Sequence, residues 1–213
     1  MTAGRRFAAV ALLAALQAAP SPGQTADEVL SRVRERYAAM KDVEVRFTQT
    51  APGPKGTSRP PQEGVLQAKK GNRYRIETAD QVVVTDGTTV WRFGRRTNQV
   101  LVDRFKPDTG VLAPDRLLSG ATGEVRGTVT GRETLGGKSV VVLSVVPKED
   151  DGAYTALKLW VDDAAGMVRK LEATDLAGGI VTITVHDVRF DAGIPDARFT
   201  FQPPAGADVV DLR

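Results

Sequence analysis

Residues 81–93 read QVVVTDGTTVWRF, and this stretch decides the fold class. Two short runs rich in β-branched and aromatic residues flank Asp86-Gly87. Asp-Gly suits the two-residue primed turn of a β-hairpin, because both central positions need positive φ. The same grammar extends in both directions. Val43, Val45 and Phe47 alternate with Glu44, Arg46 and Thr48, the period of a half-buried strand. Further strands are expected at 64–69, 73–78, 99–103, 125–135, 139–146, 154–161, 167–175 and 180–190, with glycine-bearing turns such as Gly136-Gly137 and Gly178-Gly179 between them. An extended segment at 198–201 precedes Pro203-Pro204 and a short tail.

Only two helices interrupt this pattern. Thr25 followed by Glu28 is a capping box, and Val29, Leu30, Val33, Tyr37 and Met40 recur at helical spacing behind it. Pro114 and Asp115-Arg116-Leu117-Leu118 before Ser119-Gly120 predict a second, short helix. Ten or eleven antiparallel strands joined by tight turns imply a barrel or a strongly curved sheet. Two helices cannot cover so wide an apolar face, so the sheet has to curl on itself. Aromatic residues are only 6% of the chain, leaving few large side chains to plug the interior. An apolar cavity with a helical cover is the expected result.

The N-terminus reads as a removable export signal, residues 1–23. Arg5-Arg6 is a basic head, 7–19 is an apolar run, and Ser21-Pro22-Gly23 supplies small residues for cleavage before Gln24. The chain is therefore expected in the periplasm, with residues 24–213 as one domain. The 29 basic residues include Arg5 and Arg6, so 27 remain against 26 acidic ones. That balance gives no electrostatic reason to expect nucleic acid as a partner. Cys is absent, so neither a disulfide nor a lipid-bearing cysteine is available. The single histidine, His186, has no G-x-S-x-G elbow to serve, and zinc sites of the usual Cys/His kind are excluded. Glu149-Asp150-Asp151-Gly152 does not follow EF-hand spacing. Neither catalysis nor a cofactor is expected.

Four ordered motifs carry a family likeness. The first helix leads into Val43-Glu44-Val45-Arg46-Phe47-Thr48-Gln49; Gly64-Val65-Leu66 leads into Lys69-Lys70-Gly71-Asn72-Arg73-Tyr74-Arg75-Ile76; Asp86-Gly87-Thr88-Thr89-Val90-Trp91 follows. The last is Phe199-Thr200-Phe201-Gln202-Pro203-Pro204-Ala205-Gly206-Ala207-Asp208-Val209. Together they resemble the LolA-type periplasmic lipoprotein carriers. The resemblance implies a mainly β fold, an incomplete antiparallel β-barrel of about eleven strands with a helical lid over an apolar cavity. It also implies acylated lipoproteins as cargo, an inner-membrane lipoprotein-releasing transporter as donor and an outer-membrane lipoprotein receptor, where present, as acceptor. The carrier is expected to be a monomer. Lack of a lipidation cysteine favours carrier over receptor. Two other readings stay open: a carrier of glycolipids or free lipids, and an envelope-stress sensor on the same fold.

Candidate cavity residues follow from alternation. Val45 and Phe47 share one strand face, Leu66 lies on the next strand, and Tyr74 and Ile76 share a face of the third. The hairpin offers Val90 or Trp91, and the short helix offers Leu117 and Leu118. Where the family commonly has an arginine that ties barrel to lid, this chain has Lys70 before Gly71. Lysine keeps the charge without the fixed guanidinium fork, so a lid latch at Lys70 is expected to be weak.

Overall fold

The computed structural model describes residues 24–53, 57, 59–106, 125–147 and 154–213. The expected export signal, the short helix with Leu117 and Leu118, and the acidic stretch 149–152 lie outside the described residues.

Helix α1 (Ala26–Ala39) begins as its sequence dictates. The Glu28 amide donates to Thr25 Oγ1 at 3.3 Å, and the Thr25 amide donates to Glu28 Oε2 at 2.9 Å. Val29, Leu30, Val33 and Tyr37 are buried on its inner stripe. Full burial of such side chains contributes about 1.5–3 kcal/mol each, so packing rather than propensity holds the helix in place.

The strands are β1 (Asp42–Thr50), β2 (Gln62–Lys69), β3 (Arg73–Thr78), β4 (Gln81–Asp86), β5 (Thr89–Gly94), β6 (Gln99–Arg104), β7 (Val125–Leu135), β8 (Lys138–Pro147), β9 (Tyr154–Asp162), β10 (Met167–Asp175), β11 (Ile180–Phe190) and β12 (Asp208–Asp211). They form one sheet in the order β12-β6-β5-β4-β3-β2-β1-β11-β10-β9-β8-β7. Neighbours are antiparallel hairpin partners, except that β1 pairs with β11 and β12 pairs in parallel with β6. Among the described residues the sheet does not close: β7 and β12 are its two ends. This is the incomplete barrel anticipated from the sequence.

Three local expectations change. The tail contains a twelfth strand, β12, parallel to β6. The segment expected to be extended at 198–201 instead opens in a 3-10 turn, η1 (Asp196–Phe199), entered from Pro195 in extended backbone. The β4–β5 turn is centred one residue later than expected, on Gly87-Thr88, because Thr85 faces Val90 and β4 runs to Asp86. Asp86 Oδ1 organises it, accepting the Thr88 and Thr89 amides, each at 2.8 Å. Burial alone would raise the Asp86 carboxyl, but these hydrogen bonds outweigh it and hold the group below its usual range. Gly87, at φ +96°, sits so close to the Gly71 carbonyl that a Cβ would collide with it.

Register sorts the side chains into two faces. Leu66, Ile76, Val83, Arg92 and Leu101 form one cross-strand row, with Val45 opposite Leu66. Ala68, Tyr74, Thr85 and Val90 form the next row of the same face. This face carries the large core, which α1 joins with Val29, Leu30, Val33 and Tyr37. On the other face, Val82, Val84, Phe93, Val100 and Val102 form a separate cluster covered by Phe201 and Ala207. A third cluster, Val140, Val142 and Trp160, lies on that outer face in β8–β9. There the Trp160 indole donates to Glu133 at 2.7 Å, and Lys158 and Lys170 stand 4.5 and 4.2 Å from its ring.

Candidate functional site

Gln81 of β4 and Leu159 of β9 line the same cavity, although β3, β2, β1, β11 and β10 separate their strands. Laid flat, six strand spacings would place them about 29 Å apart. The sheet therefore curls, and the cavity of about 240 Å³ lies on its concave side beside Tyr37 of α1. One wall is Val45, Phe47, Leu66 and Ile76; the facing wall is Leu159, Val168, Leu171, Ile183, Val185 and Val188. Among the described residues, the only polar side chains in the lining are Tyr37, Gln49 and Gln81. Burial pushes the Tyr37 hydroxyl up to about 12, against the lowering influence of Arg169 and Arg36. It stays neutral at physiological pH, and the described lining residues carry no charge.

Four of the sequence-derived candidates, Val45, Phe47, Leu66 and Ile76, meet in this cavity. Tyr74 is buried in the same core but lies beyond the lining, edge-on to Phe105 with ring centroids 6.3 Å apart. Val90 is on the concave face in the Tyr74 row and is 4% exposed, again outside the lining. Trp91 points the other way. It pairs with Val84 and Val102 and packs into the convex cluster, so the hairpin can present Val90 to the interior but not Trp91. Lys70 is exposed at the β2–β3 turn, where its carbonyl accepts from Arg73 Nε at 3.2 Å. Leu117 and Leu118 fall outside the described residues.

Sequence reasoning missed Tyr37, the two glutamines and the whole facing wall. β11 hides its part because its register against β1 shifts between Arg46 and Phe47: Val188 faces Val45 and Val185 faces Phe47. Two concave residues are thus three apart instead of two, which strict alternation does not find. At this shift His186 shares a hydrogen bond of 2.6 Å with Thr48 Oγ1 on the exposed side.

Two other hollows have a different chemistry. A cleft of about 420 Å³ includes Arg46, Glu63, Glu77, Arg95 and His186. Glu77 there is held between Arg95 at 3.8 Å and Arg198 at 3.1 Å, so its carboxylate is already paired. A crevice of about 190 Å³ shares Gln49 and Gln81 with the apolar cavity and adds Arg59, Gln62 and Asp80. Among the described residues, no group of three or more His, Asp or Glu side chains is placed to hold a metal ion. What the concave site can do chemically is shelter an uncharged apolar chain.

The comparisons with known proteins agree with this geometry. At 28% identity the chain matches an uncharacterized protein of Methanocaldococcus jannaschii, covering 87% of this chain but only 53% of that longer one. It is 30% identical to the outer-membrane lipoprotein carrier protein of Leptothrix cholodnii over 99% of both chains. The crystal structure of an uncharacterized conserved protein from Thermus thermophilus superposes with a TM-score of 0.59 at 15% identity, covering 87% of this chain and 98% of that one. That likeness establishes the fold alone. The family model of the outer membrane lipoprotein carrier protein LolA matches residues 38–202, most of the sheet and the cavity walls, and the chain belongs to this family.

Proposed function

We propose that this chain is a periplasmic carrier that binds the acyl chains of lipoproteins and ferries them from the inner to the outer membrane. The observation that carries the reading is the uncharged, apolar-lined cavity between α1 and the curled sheet. An acyl chain in water exposes about 0.8 kcal/mol per CH₂, on the order of 12 kcal/mol for a long chain. A carrier has to remove that exposure and still release its cargo, and it needs no covalent step to do so.

The cavity's size says how it would work. A cavity of ~150 Å³ holds a benzene-sized guest, and ligand pockets run from ~300 Å³ upward. About 240 Å³ thus takes part of one long chain, and a fully acylated cargo requires the walls to part. The unclosed side of the sheet, where β6 and β12 do not pair with β7, offers that freedom. In this reading residues 1–23 direct export and are removed, an inner-membrane transporter supplies the cargo, and an outer-membrane receptor takes it.

The test is to purify the protein from its native periplasm without detergent and identify co-purifying ligands by mass spectrometry. Acylated lipoproteins are the expected result. Glycolipids or free phospholipids alone would overturn the cargo assignment, and recovery of uncleaved protein from the cytosol would overturn the proposed location.

A further inference from the structure

The apolar cavity and the polar crevice share two lining residues, Gln49 and Gln81. Both occupy one rim of the sheet: Gln49 is near the end of β1, and Gln81 starts β4. Both lie on the concave face, Gln49 opposite Ile183 and Gln81 opposite Gly94. Gln49 is half-buried and Gln81 is exposed. Among the described residues neither side-chain amide makes a hydrogen bond, whereas Gln62 in the same crevice donates to Asp80. Arg59, the crevice's cation, is itself partnered. Among the described residues, the side chains left open at this boundary are thus two neutral amides, each with two N–H donors and one carbonyl acceptor. Half-buried and exposed respectively, neither amide is committed to a protein partner among those residues, and each can exchange water for a ligand's hydrogen-bonding group.

We infer that Gln49 and Gln81 form a carbonyl-reading mouth, which recognises a neutral ester- or amide-linked acyl group whose chain lies in the apolar cavity. The inference rests on reading that cavity as an acyl-chain site and specifies which acyl compounds it prefers. The amide N–H groups donate to the acyl carbonyl at the chain's polar end, and Gln Oε1 accepts from an amide N–H where the linkage has one. A free carboxylate or a phosphate would call instead for an unpaired cation, since charge-assisted partners are the strong ones for anions. The mouth therefore favours chains already attached to a carrier molecule over free fatty acid.

The probes are methyl palmitate, palmitate and hexadecane, delivered from cyclodextrin to the mature protein and competed against a bound fluorescent alkyl probe. The wild type is expected to bind methyl palmitate about tenfold more tightly than hexadecane, the gain of two ordinary hydrogen bonds, and more tightly than palmitate. In Gln49→Leu/Gln81→Leu the ester loses this advantage while hexadecane binds as before. Gln49→Glu/Gln81→Glu keeps the side-chain shape, removes the donors and loses the ester preference as well. Unchanged ester binding in both variants would overturn the inference, as would a parallel loss of ester and hexadecane, which would mean that the glutamines only shape the cavity. Wild-type protein that bound ester and hexadecane equally, or palmitate best, would overturn the mouth and leave the acyl carrier standing. Wild-type protein that bound none of the three would overturn both.

Discussion

On the convex side of β4–β6, Val82, Val84, Phe93, Val100 and Val102 are buried beneath Phe201 and Ala207, with the Phe93 and Phe201 rings 6.0 Å apart. On the concave side, Phe47, Leu66, Ile76, Ile183, Val185 and Val188 line a cavity of about 240 Å³. Both surfaces come from the same alternating strands. One is closed by the chain's own C-terminal segment, and among the described residues the other keeps an unfilled cavity. At ~24 cal/mol per Å³, an empty volume of this size would cost at most about 6 kcal/mol, a large share of the 5–15 kcal/mol that a domain has in total. A chain that can seal one apolar face has no packing reason to leave the other unfilled. The difference supports our proposal that the concave side is a place for cargo.

The comparison breaks first at Phe199. It is 1% exposed, the largest fully buried side chain described, and η1 packs it against β3 and β4. Phe199→Ala is expected to cost about 3–5 kcal/mol in denaturant unfolding while the remaining folded protein binds an alkyl probe normally. Loss of probe affinity in the folded fraction would show that the two faces are not independent.

Gly64 is the sharper test. A Cβ there would collide with the Phe47 ring, which lies flat over the glycine and forms part of the cavity wall. In Gly64→Ala the ring has to lift off the sheet into the open volume. We expect a stability loss of about 1–3 kcal/mol and a fall in alkyl-probe affinity greater than Phe199→Ala produces. A variant with the same loss of stability and unaltered binding would mean that the ring finds room elsewhere.

What the sequence disclosed follows the reach of the interactions. α1 was legible because a capping box and a 3.6-residue stripe are local. The strands were legible because alternation is local too, and four cavity residues came with them. Alternation names two faces without saying which is concave, so Val90 and Trp91 could not be told apart until pairing placed Val90 in the Tyr74 row. β12 escaped because its four residues pair in parallel with β6, more than a hundred positions earlier, and carry no alternating buried pattern. The facing wall escaped through the β1–β11 register shift. The glutamines escaped because a polar residue on an apolar face looks like an exception until the two hollows meet there.

The smallest expected effect on stability is at Lys70, and it concerns the open side alone. Three cations crowd the turn between β2 and β3. Lys69 reaches Asp196 at 2.7 Å and Arg73 reaches the same carboxylate at 3.2 Å, so both tie the C-terminal segment to the convex face. Lys70 is the turn's remaining cation, exposed and with no side-chain partner among the described residues. From that division of labour we propose Lys70 as the lid latch that the family resemblance leads one to expect, donating to a lid or loop carbonyl. An exposed single substitution ordinarily shifts stability by within ~0.5 kcal/mol, so Lys70→Leu is expected to leave the melting curve nearly unchanged. It is expected to speed hydrogen exchange over residues 112–120 and to alter the rate of lipoprotein transfer to an acceptor. Lys69→Leu, the control on the other face, is expected to loosen exchange around 196–201 and leave transfer alone. If Lys70→Leu changed neither exchange nor transfer, the latch would be wrong and a lid would have to be held by apolar contacts alone.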